Sequence, residues 1–120
     1  MTATIARPAG DEYGSFYAGY IGRVPEGDVL AIMAGQAEAL DGLLRPLTDD
    51  QANRSFAPGE WTVKEVAGHL IDAERIFAHR LLCVARADPN PLPGFEQDDF
   101  VREADYGARP LDDLLDEWGH

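Results

Sequence analysis

The chain has 120 residues, 45% of them hydrophobic and 27% charged, which fits one small globular domain. It carries 22 acidic residues against 10 basic ones, and the net charge of −12 argues against nucleic acids and anionic membranes as partners. The sequence has no apolar run of about 18 residues and no signal-peptide core near its start, so we expect a cytoplasmic protein.

The first predicted element is an aromatic segment, residues 1–27, which we expect to pack on the rest of the protein. Its sequence DEYGSFYAGYIGRV places four aromatic side chains at helical spacing: Tyr13, Phe16, Tyr17 and Tyr20. Packing is a more common role for such a group than ligand binding. We therefore predict a short helix here and assign residues 28–120 to a helical bundle.

A first long helix is predicted from about residue 28 to about residue 45. Asp28 has the side chain of an N-cap, and Pro46 is a strong stop signal. Apolar residues between and beyond them recur at a helical period: Leu30, Met33, Ala37, Leu40, Leu44 and Leu47.

The stretch WTVKEVAGHLIDAERIFAHRLL predicts a second, longer helix from about 62 to about 87. Thr62 and Glu65 form a capping box, and the pair Asp88-Pro89 closes the helix about 25 residues later, roughly 37 Å along its axis. Its apolar positions form one stripe, which we expect to face the core: Val63, Val66, Leu70, Ala73, Phe77, Leu81 and Val84.

A proline-rich loop follows, and its acidic residues do not fit a calcium loop, because Leu92 and Pro93 stand where an oxygen ligand and a glycine are needed. We predict a short helix from Gln97 to Tyr106. Pro110 then opens a last helix with apolar positions at Leu111, Leu114, Leu115 and Trp118. The sequence shows neither β-type alternation nor a Gly-rich phosphate loop, so the predicted fold class is all-α.

His69 is the main candidate site residue. It shares a column of the second helix with Glu65 and Asp72, one turn away on either side, roughly 80° from the centre of the apolar stripe. These carboxylates are placed to orient the imidazole or to support it as a metal ligand. The alternative is a solvated helix flank with an incidental histidine. His79 projects in another direction, and Cys83 is expected to be a small buried hydrophobe.

The motif GHL-x-D, together with R-L-L-x-x-A-R-x-D, PLPGFEQDDFV and RPLDDLLDE, closely resembles the DinB-like (DinB/YfiT) superfamily over about residues 8–118. The resemblance implies an up-down four-helix bundle, usually a homodimer, that binds a divalent metal through three histidines. The metal is often nickel or zinc. Some members are metal-dependent transferases or isomerases that use a low-molecular-weight thiol, and many have no assigned reaction.

By this resemblance His69 corresponds to the first metal ligand of the family, with Glu65 and Asp72 in supporting roles. The other two ligands belong to a His-x-x-x-His pair on a fourth helix, which would follow LLDEWGH and which this sequence lacks. We therefore expect an incomplete bundle whose metal is not tightly bound and which is inactive by itself.

Two hypotheses follow. The chain is either part of a metal-dependent transferase or hydrolase, or a non-catalytic helical module for dimerisation. An incomplete bundle would leave the apolar stripe of the second helix in water, so we expect a homodimer, or a chain that needs a partner, with the contact built from the two long helices.

Overall fold

A computed structural model describes residues 5–55 and 57–119, and in these ranges it contains helices but no extended strand. The predicted all-α class is thus confirmed. One isolated antiparallel bridge joins Ser55 to Thr62. None of the described helices combines the length and the apolar character needed to cross a membrane. In chain order the helices are the 3-10 helix Ser15–Tyr17, α1 (Ala18–Gly22), α2 (Val29–Leu44), α3 (Asp49–Ala52), α4 (Val63–Ala85), α5 (Gln97–Ala104), the 3-10 helix Tyr106–Ala108 and α6 (Leu111–Gly119).

The chain forms two compact units, Met1–Leu40 and Asp41–His120, and the boundary falls inside α2. In the first unit Arg7 provides hydrogen-bond donors for carbonyls at the C-terminal end of α1. Its guanidinium donates to the carbonyls of Ile21 and Val24 at 2.7 Å each. The aromatic segment forms a short helix as predicted, and the rings of Phe16 and Tyr17 meet edge to face at 5.1 Å. Its packing on the bundle, and the proposed division at residue 27, stay predictions.

The ends of the long helices follow the capping signals. Asp28 accepts a hydrogen bond from the amide of Leu30 at 3.0 Å, and α2 ends at Leu44. Thr62 and Glu65 form the predicted capping box before α4, which runs for 23 residues without a break. The predictions of 28–45 and 62–87 are therefore confirmed to within about two residues.

The short helix α3 is absent from the predictions. It begins with a second capping box, in which Thr48 accepts from the amide of Gln51 and Gln51 accepts from that of Thr48. The capping box is readable from the sequence. The helix was not predicted because it has only four residues and one buried side chain, Ala52, so it shows no apolar period.

The buried side of α4 is not the predicted one. Lys64, Ala67, Gly68 and Ile71 are its buried residues, whereas four large side chains of the predicted stripe are exposed: Val66, Phe77, Leu81 and Val84. The two faces lie about 130° apart at 100° per residue. The buried face carries small residues, and these let α6 and the turn at Tyr106 approach the helix closely. The stripe therefore faces the core only in part: Val63 packs against buried core residues, whereas the C-terminal part of the stripe is exposed, as expected for an incomplete bundle.

The core of the second unit is built around α6, which buries Leu111, Leu114 and Leu115 and packs the partly buried Trp118 against the cluster that contains Leu114. Leu114 packs with Ala67, Ile71 and Tyr106 of one cluster. The second cluster contains Ala52, Leu111 and Leu115, with Leu44, Leu47 and Val63 packed against it. Burying a leucine side chain contributes roughly 1.5–3 kcal/mol, so α6 stabilises both clusters.

A buried charge joins α3, α4 and α6. The side chain of Lys64 is 3% exposed, and its ammonium lies 3.4 Å from a carboxylate oxygen of Asp49 and 3.3 Å from the carbonyl oxygen of Gly107. The same oxygen of Asp49 accepts the amide of Leu111, the first residue of α6, at 2.8 Å. This hydrogen bond and the ammonium of Lys64 hold the pKa of Asp49 below its ordinary value.

We predict that Asp49→Asn destabilises the protein at neutral pH and that this loss disappears in acid. A carboxyl group whose pKa is lowered by folding stabilises the folded state above its ordinary pKa, and the contribution vanishes as the pH falls through the lowered value. Asparagine keeps an acceptor for Leu111 but removes the charge that faces Lys64. Urea denaturation between neutral pH and pH about 3 measures the difference.

Asp50→Asn is the matched control, since Asp50 is the next residue of α3 and is exposed. A penalty for Asp49→Asn that stays constant with pH, or that equals the penalty for Asp50→Asn, would contradict the role of the charge.

Candidate functional site

The three predicted site residues lie along one side of α4 and are all partly buried. The aromatic ring of Trp61 covers His69, with ring centroids 5.0 Å apart at an angle of 49°. Trp61 immediately precedes the N-cap Thr62, so the capping box that starts α4 also holds this indole in place. The imidazole therefore lies at the N-terminal half of α4 against an aromatic wall, not in open solvent.

Glu65 has a structural task in this arrangement. Its carboxylate accepts the amide of Thr62 at 3.0 Å, and its own amide donates to the hydroxyl of Thr62 at 3.1 Å. The side chain also lines an open cavity of about 350 Å³ together with Trp61 and Tyr106. Glu65 thus fixes the start of the helix one turn before His69.

Asp72 is held by a residue that the sequence did not single out. The hydroxyl of Tyr106 donates to a carboxylate oxygen of Asp72 at 2.7 Å, and Tyr106 is only 6% exposed. Burial, and then the hydrogen bond to Asp72, raise the pKa of Tyr106 well above its ordinary value, so the phenol remains a donor at physiological pH. The result is a fixed carboxylate one turn after His69.

Two backbone features place Tyr106 on α4. Asp105 adopts a left-handed conformation with φ of 52°, which ends α5 and reverses the chain. Gly68 then leaves room for the aromatic ring, because a Cβ at this position would collide with three of its carbon atoms. Packing therefore explains why the GHL-x-D motif has a glycine at this position. The sequence alone does not show it, because the contact depends on Tyr106.

The structure aligns His69, Glu65 and Asp72 but does not gather them around one point. The carboxylates take their hydrogen bonds from Thr62 and Tyr106. Within residues 5–55 and 57–119, no group of three or more His, Cys, Asp or Glu side chains is placed to hold a metal ion. A zinc enzyme needs three protein ligands and a water. These residues do not form a complete metal site by themselves.

The other candidates lie farther along α4 or outside the described ranges. His79 is exposed, as predicted from its direction, and Cys83 is partly exposed beside it, not buried. The prediction for Cys83 was wrong because the end of α4 is uncovered, and its neighbours Leu81, Leu82 and Val84 are exposed. His120 falls outside the described residues.

Comparison with known proteins gives a family match. A model for the DinB superfamily matches residues 33–120. The chain is also similar to a protein of Geobacillus thermodenitrificans (strain NG80-2) named "Putative metal-dependent hydrolase", with 30% identity over 78 residues. That alignment covers 65% of this chain and 44% of the relative, so the chain spans less than half of the relative's length. No solved structure matches the chain.

Because Tyr106 packs on α4, we predict that alanine has opposite effects on stability at two helical glycines. Gly68→Ala should destabilise the protein, because overpacking against a ring costs about 1–3 kcal/mol and exceeds the gain of about 1 kcal/mol in helix propensity. Gly42→Ala is the control. A Cβ added at this position of α2 would have no other atom within 4 Å, so the substitution should stabilise the folded protein by roughly 0.5–1 kcal/mol. Urea denaturation measures both, and an equal gain from the two alanines would refute the close approach of Tyr106.

Proposed function

Since this chain belongs to the DinB superfamily, we propose that it forms part of a divalent-metal enzyme of the hydrolase or transferase class and contributes His69 as one metal ligand. The ion expected from the family resemblance is nickel or zinc. A small-molecule substrate, and in the transferase case a low-molecular-weight thiol, belongs to the same proposal. So does the expected cytoplasmic location.

The arrangement around His69 is the observation that supports this proposal. An imidazole that binds a metal is usually fixed in orientation by its surroundings. Here the indole of Trp61 lies against the ring. One turn before it the carboxylate of Glu65 accepts the amide of Thr62, and one turn after it that of Asp72 accepts the hydroxyl of Tyr106. An incidental histidine on a solvated flank would not require such fixed neighbours.

The described residues supply only this imidazole, so the proposed centre takes its other ligands from outside them. A further segment or a second protein chain could provide these ligands. The relative named as a metal-dependent hydrolase is more than twice as long as the region it shares with this chain. We therefore assign catalysis to a larger assembly and derive no reaction step from this chain alone.

A second function is favoured by a separate observation. Phe77 and Leu81 of α4 are 58% and 71% exposed, and Val84 on the same side is exposed as well. Large apolar side chains that cluster on one helix face are typical of interaction surfaces. We propose that this face serves a homodimer, either as part of the enzyme or as the sole role of a non-catalytic helical module.

The metal proposal predicts weak binding at His69. Titration with nickel should change the imidazole signals of His69 in NMR spectra saturably, and dialysis should remove the metal, because one protein ligand gives exchangeable binding. His79→Ala is the control and should leave the response of His69 unchanged.

Two results would contradict this account. If His69 does not respond to millimolar nickel, it is not a ligand. If elemental analysis after dialysis finds one metal per chain that is lost in His69→Ala, the site is complete in this chain.

The dimer proposal predicts that Phe77→Asp either dissociates the dimer or unfolds the chain, because a charge would replace a buried contact. Ala78→Asp is the control. Ala78 is exposed and lies about 100° around the α4 axis from Phe77, so the same charge there should leave association unchanged. Sedimentation with thermal unfolding measures both properties. A wild-type monomer that melts cooperatively at micromolar concentration would refute the proposal.

A further inference from the structure

The last turns of α4 bring together two side chains that the His69 site does not use. His79 and Cys83 are four residues apart, so they lie one above the other on the same helix face. The sulfur of Cys83 lies 3.6 Å from Nε2 of His79. His79 is exposed and Cys83 is partly exposed, so both donor atoms can be reached from solvent.

This contact lies within hydrogen-bond distance for a thiol and an imidazole, and its length also matches the separation that a shared zinc ion requires. Zinc binds thiolate sulfur at about 2.3 Å and imidazole nitrogen at about 2.0–2.1 Å, and a tetrahedral angle between these bonds separates the two donor atoms by about 3.5 Å. The observed separation differs from that value by roughly 0.1 Å. An ion could therefore bind both side chains without a change in the helix. Donor pairs four residues apart on a helix are an established arrangement in zinc sites.

We propose that His79 and Cys83 form a two-donor site for a soft divalent cation, with zinc(II) as the expected ion. When the zinc–sulfur bond forms, the thiol proton passes to solvent. The imidazole donates its Nε2 lone pair and keeps its proton on Nδ1, so no oxidation or reduction occurs. Two coordination positions remain for water or for another ligand. A thiolate favours zinc over magnesium and calcium, which prefer oxygen ligands.

The site is separate from His69. His69 and His79 are ten residues apart, which corresponds to about 15 Å along the helix axis, so no single ion can bind both. This proposal therefore does not rest on the proposed function, and each can fail without the other.

The surroundings offer space for the remaining ligands. His79 lines an open groove of about 320 Å³, whose walls include the apolar residues Ile76, Phe95 and Phe100. Two cations also line this groove and oppose a bound metal ion. The guanidinium of Arg80, however, donates to the carbonyl of Pro93 at 3.0 Å, and that of Arg75 lies 3.5 Å from a carboxylate oxygen of Glu117. Both are thus directed to other partners.

Cobalt(II) tests the proposal, since it substitutes for zinc and shows a sulfur-to-metal charge-transfer absorption only when a thiolate binds it. Reduced, metal-free protein should develop this absorption with one cobalt per chain and lose it when zinc is added. Cys83→Ser should abolish the absorption. In His79→Ala the dissociation constant for zinc should rise by roughly tenfold or more, because one of the two donors is lost. His69→Ala should leave the charge-transfer absorption unchanged, because this absorption reports only metal that is bound to the thiolate.

Three outcomes would overturn the proposal. Wild-type protein that shows no charge-transfer absorption at millimolar cobalt does not contain the site. Equal affinity in His79→Ala means that the thiol binds without the imidazole. Loss of the absorption in His69→Ala places the thiolate-bound metal elsewhere. Circular dichroism of each variant checks that α4 is intact, which we expect because both donors lie on its solvent-accessible part.

Discussion

The ammonium group of Lys64 is the constraint on which the second unit depends. A buried charge costs several kcal/mol unless it is paired and hydrogen-bonded. Its two partners come from distant parts of the chain, Asp49 in α3 and the carbonyl of Gly107 after α5. Because Asp49 also accepts the first amide of α6, the position of one side chain on α4 determines where three other elements lie. The leucines of α6 stabilise the same arrangement, because they belong to both core clusters.

This constraint extends to the candidate site. Gly107 follows Tyr106 directly, so holding the carbonyl of Gly107 on Lys64 also holds the aromatic ring on Gly68 and the phenol on Asp72. On the other side of His69, the capping box of α4 holds Glu65 and the neighbouring Trp61. The residues around the imidazole are thus fixed by the same contacts that fold the unit. Replacing them would change the fold and the site together.

The sequence predicted helices well and packing poorly, for physical reasons. The ends of α2 and α4 follow from Asp28 and Thr62, since capping depends on residues close in sequence. The buried face of α4 depends on partners 15 and 43 residues away from Lys64, and a lysine is normally assigned to solvent. A pattern of large apolar residues predicts a helix face that burial would favour. In the structure, however, α6 packs on the face of α4 where the small residues Ala67 and Gly68 allow a close approach. The same limit explains why Tyr106 was missed, because it contacts Asp72 from 34 residues farther along the chain. The His79–Cys83 pair follows from its spacing alone and was missed because Cys83 was assigned to the core.

We propose that His69 is a metal ligand on a preformed surface and that its partner ligands come from outside the described residues. Anomalous diffraction from crystals grown with nickel or zinc tests it most directly. We expect an anomalous peak about 2.0–2.1 Å from an imidazole nitrogen of His69. The hydroxyl of Tyr106 should still donate to Asp72, and at least one further ligand should come from another segment or molecule. A fully occupied ion at His69 whose protein ligands all lie within residues 5–55 and 57–119, or an imidazole without metal under these conditions, would contradict it.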